Sequence, residues 1–159
     1  MASLWRKIRK TGRVAEPAPE RPGSPAEVPE LAGSVQIRHV DAGSCNGCEV
    51  EIASAFGPVY DAERYGARLV ASPRHADALV VTGPVTRNMQ VALRRTFEAV
   101  PQPRLVVALG DCARNCGVFA GAYGVAGAVG DVIPVDVEVA GCPPRPEAIV
   151  AALRGLTGR

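Results

Sequence analysis

The stretch Leu105-Val-Val-Ala-Leu109-Gly-Asp-Cys112 carries the pattern on which the predicted fold depends. Its first five residues are all apolar, which is typical of a strand that is buried on both faces of a parallel sheet. A glycine and an aspartate end the run, and a cysteine follows at once. The stretch therefore predicts an inner parallel strand whose carboxyl end carries a thiol.

Apolar runs followed by cysteine motifs also occur on both sides of this stretch. Val35 to Val40 is predicted to be a strand and precedes Cys45-Asn-Gly-Cys48, and residues 132–139 contain a strand that precedes Gly141-Cys-Pro-Pro-Arg-Pro146. Further strands are predicted over residues 67–71 and 78–81, and helices over residues 48–56, 87–100 and 146–153. This alternation predicts one α/β domain, an open parallel sheet with crossover helices.

The cysteine motifs are placed where functional groups gather in such sheets, outside the carboxyl ends of the strands. Cys45 and Cys48 follow the first predicted strand, Cys112 follows the fourth and Cys142 follows the last. We therefore expect these strand ends to converge on one site. Gathered thiolates are soft ligands, and they indicate an iron–sulfur cluster and electron transfer.

Composition excludes several other classes of protein. The chain has 159 residues, of which 47% are hydrophobic, so one domain with a real core is expected. The net charge of +2 gives no reason to expect a nucleic-acid partner. The clustered cysteines indicate ligands in a reducing compartment. No signal peptide and no long apolar run are visible, so a cytoplasmic chain that does not itself span a membrane is expected.

Two segments precede the predicted domain, which covers residues 31–159. Residues 1–14 contain five basic residues and no acidic residue, with Trp5 among them. They predict a basic amphipathic segment on a membrane or partner, or else a solvated terminus. Residues 15–30 contain five prolines and predict an extended tether.

Two kinds of metal site are compatible with the cysteine spacing. A four-thiolate zinc site would use Cys45, Cys48, Cys112 and Cys116 and would leave Cys142 unused. An iron–sulfur site is favoured by the small residues around the motifs, because backbone amides can then approach the cluster sulfurs. Cys116 is in that case expected to be a non-ligand packed near the site.

Several ordered motifs resemble the 20 kDa subunit family of NADH:quinone oxidoreductase (complex I). They are Asp41-Ala-Gly-Ser-Cys-Asn-Gly-Cys-Glu-Val-Glu51, Asp61-Ala-Glu-Arg-Tyr-Gly66, Ser72-Pro-Arg-His-Ala-Asp77, Thr82-Gly-Pro-Val-Thr-Arg-Asn-Met89, Gly110-Asp-Cys112 and Gly141-Cys-Pro-Pro-Arg-Pro146. The resemblance covers about residues 35–154. Within the family, the C-x2-C form of the first motif resembles the small subunit of energy-converting, formate hydrogenlyase-type membrane-bound [NiFe] hydrogenases, because complex I subunits carry adjacent cysteines there.

This resemblance implies a flavodoxin-like fold and a single [4Fe–4S] cluster at the carboxyl ends of the strands. The implied ligands are Cys45, Cys48, Cys112 and Cys142. Cys116 stands where relatives usually have glycine, a departure whose meaning the sequence leaves open. The implied partners are a hydrogenase or complex I-like large subunit, a ferredoxin-like iron–sulfur subunit and integral membrane subunits. A peripheral location on the cytoplasmic side of the cell membrane follows from these partners.

A cluster held by four thiolates has no free position for a substrate, so the expected role is electron relay without catalysis by the isolated chain. We expect an oxidoreductase subunit that exchanges electrons with the large subunit of a [NiFe] hydrogenase complex. One alternative is a complex I-like subunit that passes electrons to quinone. An alternative of another class is a structural zinc module for protein interaction.

Other residues near the motifs are candidates for secondary roles. Glu49, beside Cys48, is a candidate for proton transfer or cluster tuning, and equally for an acid that stabilises a helix start. Arg74 is a candidate cation that would raise the cluster potential, or a solvated loop residue. The turn formed by Gly83, Pro84, Val85 and Thr86 is a candidate for lining the cluster or contacting the partner.

Overall fold

The computed structural model describes residues 2–12, 31 and 33–159. Helix α1 spans Ala2–Thr11, within the predicted basic segment, and the Trp5 side chain is 69% exposed. The predicted tether, residues 15–30, lies outside the described residues. No helix in the described part of the chain has the length and apolar character needed to cross a membrane.

The domain that follows alternates strands with helices. Its strands are β1 (Val35–Asp41), β2 (Ala67–Leu69), β3 (Ala78–Thr82), β4 (Val85–Thr86), β5 (Leu105–Leu109), β6 (Val125–Gly127) and β7 (Val137–Val139). Its α-helices are α2 (Gly47–Ala55), α3 (Gln90–Ala99), α4 (Asp111–Asn115) and α5 (Pro146–Thr157). Short 3-10 turns cover Ala62–Tyr65, Pro73–His75, Gly117–Phe119 and Val129–Asp131.

Five of these strands form a parallel sheet in the order β2-β1-β3-β5-β7. Strands β4 and β6 form a separate antiparallel pair. Counted along the parallel sheet, this is the flavodoxin-like order, in which the chain changes direction of winding between β1 and β3. The predicted open parallel sheet is therefore confirmed.

Strand β5 shows why its sequence is apolar throughout. Leu105, Val107 and Leu109 pack in the core on one face of the sheet, together with residues of α2 and α5. Val106 and Ala108 pack in the core on the other face, with Leu93 of α3. Both faces are covered, so no position in β5 is available for a polar side chain.

Helix boundaries differ from the sequence prediction at two places. The helix expected from residue 87 begins only at Gln90, because the Arg87 amide donates to the Gly124 carbonyl in the loop beside it (2.9 Å). The last helix extends beyond residue 153 to Thr157 and ends at Gly158, whose φ of 69° allows the left-handed helix cap.

Candidate metal centre

Four cysteines meet at the carboxyl edge of the sheet. Cys45 and Cys48 come from the loop after β1 and the first turn of α2, Cys112 from α4 after β5, and Cys142 from the loop after β7. All four line one cavity, together with Ser44, Gly47, Gly83, Asp111, Gly141 and Pro143. The Cys112 and Cys142 thiols face each other within hydrogen-bonding reach. The strand ends thus converge as the sequence pattern led us to expect.

The loop that carries Cys45 is held by its own polar groups. The Asp41 carboxylate accepts hydrogen bonds from the backbone amides of Gly43 (2.8 Å) and Ser44 (2.7 Å). The Ser44 hydroxyl in turn accepts from the Asn46 amide (3.0 Å). Asn46 has a φ of 68°, a left-handed conformation that Asn tolerates well. These contacts turn the chain sharply from β1 into α2.

A second set of contacts holds Cys112 beside Cys142. The Asp111 amide donates to the Gly141 carbonyl (2.9 Å), and the Gly141 amide donates to the Asp111 carboxylate (3.0 Å). Arg114 donates to the same carboxylate oxygen (3.3 Å) and to Glu138 on β7 (2.9 Å). The loops after β5 and β7 are therefore joined next to their cysteines.

Gly110 leaves the space that the thiols need. Its φ of 89° and ψ of 161° lie in a region that is essentially reserved for glycine. A Cβ atom at this position would lie 2.8 Å from Cys48 Sγ and 3.3 Å from the Gly141 carbonyl oxygen. The site therefore contains a hollow beside the thiols that any side chain would fill.

The electrostatic environment favours binding of a cation. Burial raises the pKa of the Cys48 thiol to about 12, and the charges of Glu49 and of the other three cysteines act in the same direction. Burial also raises the pKa of Cys112, assisted by Cys142 and Cys45. Four thiolates cannot remain ionised together here without a compensating cation, so metal binding must release protons.

The set of donors fits an iron–sulfur cluster, because four cysteine thiolates are the usual ligands of a [4Fe–4S] cluster. Among the described residues, no group of three or more His, Cys, Asp and Glu side chains is arranged to hold a single metal ion.

Cys116 lies apart from this cavity. Its side chain is only 8% exposed, and burial, followed by the nearby charge of Asp131, raises the pKa of its thiol. Cys142 thus stands with Cys45, Cys48 and Cys112, where the zinc alternative required Cys116, and that alternative is not favoured. The φ of 66° at Cys116 is a backbone conformation that glycine adopts freely.

Glu49 lies beside the cysteines and Arg74 does not. The Glu49 carboxylate accepts hydrogen bonds from the hydroxyls of Ser44 (2.6 Å) and Thr82. Arg74 occupies an exposed turn that precedes β3, at the amino edge of the sheet. The structure therefore places Arg74 at the edge opposite the thiols.

The turn after β3 packs beneath the Cys45 loop. Gly83 lines the cavity, and a Cβ there would lie 2.3 Å from the Ser44 amide nitrogen. Pro84 and Val85 are buried. The Thr86 amide and hydroxyl both donate to the Ala42 carbonyl, at 2.9 and 3.1 Å. The turn thus supports the loop from within this chain.

Three residues that organise the site were not expected from the sequence: His39, Asp111 and Thr82. Asp111 stands inside the Gly-Asp-Cys motif, so its place beside Cys112 was a usable signal. His39 and Thr82 had no comparable signal, because their contact joins positions that are 43 residues apart.

Comparison with known proteins places the chain in a family. Residues 45–156 match the family described as NADH ubiquinone oxidoreductase, 20 Kd subunit. The chain is 51% identical over 120 residues to a probable membrane-bound hydrogenase subunit, mbhJ, of Pyrococcus furiosus, covering 76% of this chain and 72% of that protein. It is 44% identical over 119 residues to formate hydrogenlyase subunit 7 of Escherichia coli, covering 75% of this chain and 47% of that protein.

A relative from the other branch is an NADH-quinone oxidoreductase subunit, of type B 1, from Herpetosiphon aurantiacus. It is 46% identical over 110 residues, which cover 69% of this chain and 61% of that protein. The chain thus spans about half of the E. coli relative and somewhat less than two thirds of the Herpetosiphon one.

Solved structures agree with this placement. A chain of the membrane-bound sulfane sulfur reductase, an archaeal respiratory membrane complex, superposes with a TM-score of 0.70 at 35% identity, covering 81% of this chain and 71% of that chain. A chain of an NAD+-reducing [NiFe]-hydrogenase superposes with a TM-score of 0.58 at 20% identity over 73% of this chain and 86% of that chain, a likeness of fold. The relatives are subunits of oxidoreductase complexes, and the chain belongs to the family of the 20 Kd subunit of NADH ubiquinone oxidoreductase.

Proposed function

We propose that this chain holds one [4Fe–4S] cluster on Cys45, Cys48, Cys112 and Cys142. In this proposal it relays electrons to or from the catalytic large subunit of a membrane-associated, energy-converting [NiFe] hydrogenase complex. The observation that carries the proposal is the convergence of four thiols from three separate loops on one cavity. When bound, such a cluster supplies one-electron transfer.

The residues of this chain position the ligands and exclude side chains from the hollow between them. Asp41 and Asp111 hold the loops that carry Cys45 and Cys142, and Gly110 keeps the space beside Cys48 open. The named relatives belong to complexes with different chemistries, a hydrogenase, an NADH-quinone oxidoreductase and a sulfane sulfur reductase. A shared relay subunit with the chemistry on its partner accounts for this variety.

The exposure of the site supports a covering partner. Cys45 and Cys142 are exposed in the chain alone, and Val50 of α2, two residues after Cys48, is 62% exposed. We propose that the large subunit covers this edge. A ferredoxin-like iron–sulfur subunit and integral membrane subunits would complete the assembly, on the cytoplasmic side of the membrane.

A second candidate function is delivery of electrons to quinone in a complex I-like assembly. The 46% identity to the Herpetosiphon NADH-quinone oxidoreductase subunit favours it, while the C-x2-C form of the first motif favours hydrogenase. The sequence of the large subunit would decide. Two C-x2-C pairs able to hold nickel and iron would establish the hydrogenase function, and their absence would favour the quinone function.

Anaerobic reconstitution of the full chain with ferrous iron and sulfide tests the cluster. We expect about four irons per chain, broad visible absorption and a paramagnetic signal on reduction. Cys142→Ala should abolish the four-iron product, and the matched variant Cys116→Ala should retain it. Stoichiometric zinc without iron, or the reverse order of the two variants, would contradict the proposal.

A further inference from the structure

A hydrogen-bonded group of side chains joins three elements beside the thiols. It consists of His39 on β1, Thr82 at the end of β3, Glu49 on α2 and Ser44 in the Cys45 loop. Thr82 Oγ1 lies 2.9 Å from His39 Nε2 and also bonds to Glu49 Oε1. Ser44 Oγ donates to the second oxygen, Glu49 Oε2, at 2.6 Å. Glu49 is thereby bound from both sides.

Thr82 is the buried centre of this group. Its side chain has no exposed surface, and a hydroxyl can donate one hydrogen bond while accepting others. The Thr82 proton goes to the carboxylate, so the hydroxyl oxygen accepts from His39 Nε2–H. His39 Nε2 also lies 3.4 Å from Glu49 Oε1, which agrees with a proton on that nitrogen.

The same bonds extend from Thr82 to the cysteine loop. Glu49 fixes the Ser44 hydroxyl, and that hydroxyl accepts from the Asn46 amide at 3.0 Å. Ser44 and Asn46 are the two neighbours of Cys45 in the chain. The orientation of Glu49 therefore influences both peptide units that flank Cys45, an exposed cysteine with little packing of its own.

We propose that Thr82 is a positioning residue of the metal centre, which acts through Glu49 and Ser44 to hold the Cys45 loop in the geometry that binds the cluster. This inference deepens the proposed function and rests on it. Residues that orient metal ligands typically contribute about 10–100-fold to metal affinity. Thr82 would contribute in this way although it touches no thiol in the described structure.

The test compares Thr82→Val with Thr82→Ser in the reconstituted full chain. Valine keeps the shape and removes the hydroxyl, whereas serine keeps the hydroxyl. The control is Thr157→Val in α5, since Thr157 is also buried but bonds only locally, to the Arg154 carbonyl at 3.3 Å. The readouts are the rate of iron loss to a chelator, the midpoint potential of the cluster and thermal unfolding of the iron-free chain.

We expect Thr82→Val to lose iron about 10–100-fold faster than the unmodified chain and to shift the midpoint potential. Thr82→Ser and Thr157→Val should behave like the unmodified chain. Should Thr82→Val unfold the iron-free chain, Ser44→Ala, in the half-buried loop, must then show the faster iron loss. Unchanged iron retention in Thr82→Val, or in Ser44→Ala in that case, would overturn the inference. Failure of the unmodified chain to bind a cluster would instead overturn the proposed function.

Discussion

Replacing Gly110 by alanine tests the role of empty space in the metal centre. A side chain at this position meets two penalties, a backbone with a φ of 89° and a Cβ placed 2.8 Å from Cys48 Sγ. Strain of this backbone type costs about 1–3 kcal/mol, and overpacking typically costs about 1–3 kcal/mol. We therefore expect Gly110→Ala to lower the free energy of unfolding by about 2–6 kcal/mol.

The contact with Cys48 can be relieved in only one inexpensive way, by rotation of the thiol away from the cavity. Such a rotation would spare stability and remove a ligand. Cluster binding should therefore fall in Gly110→Ala whichever response occurs. The measurements are urea unfolding of the iron-free chain and the iron content after reconstitution.

Two other glycines separate the penalties. Gly121 has a φ of 77° but nothing within 4 Å of an added Cβ, so Gly121→Ala should cost about 1–2 kcal/mol and leave iron binding intact. Gly130 has open space and no positive φ, so Gly130→Ala should be nearly neutral. Full iron content in Gly110→Ala, together with stability equal to that of Gly130→Ala, would refute the steric reasoning.

Three further predictions concern the surroundings of the site. Burial lowers the pKa of His39 from its ordinary 6.5 despite the opposing charges of Glu49 and Asp41, and Arg38 adds to the lowering. The folded chain therefore binds fewer protons than the unfolded chain, so stability should fall as the pH drops through 6.5 toward the lower folded pKa; urea unfolding of the iron-free chain should show a weaker pH dependence in His39→Gln. Asp111→Ala should destabilise the chain by about 1–3 kcal/mol, because the Gly141 amide loses its acceptor, and an unchanged unfolding midpoint would count against this link. Deleting residues 1–12 removes the exposed Trp5 and the basic helix α1, and should lower membrane retention of the complex in a sedimentation assay; equal retention would leave the basic segment without a membrane role.

The fold could be predicted from the sequence because each strand carries a local signal. The run 105–109 is apolar at every position, and the structure buries it on both faces. Helix ends were less predictable, since the start of α3 depends on a bond between Arg87 and the distant Gly124 carbonyl. Local propensity contains no information about such a contact.

The placement of the cysteines after separate strands indicated one shared site, since the carboxyl ends of parallel strands lie at one edge of a sheet. The thiols that share this site with Cys48 could not be ranked from spacing alone, because Cys116 and Cys142 both follow Cys112 at a workable distance. The described structure separates them, with Cys142 lining the cavity and Cys116 near Asp131.

By itself, the sequence determined the class of fold, the edge of the sheet where chemistry is concentrated and the kind of ligand found there, because these depend on apolar periodicity and on residue type. Only the tertiary structure decided which four thiols share a cavity, that Arg74 lies at the opposite edge, and that Thr82 connects His39 to Glu49. Those features depend on contacts between residues far apart in the chain, and such contacts exist only once the strands have taken their order in the sheet.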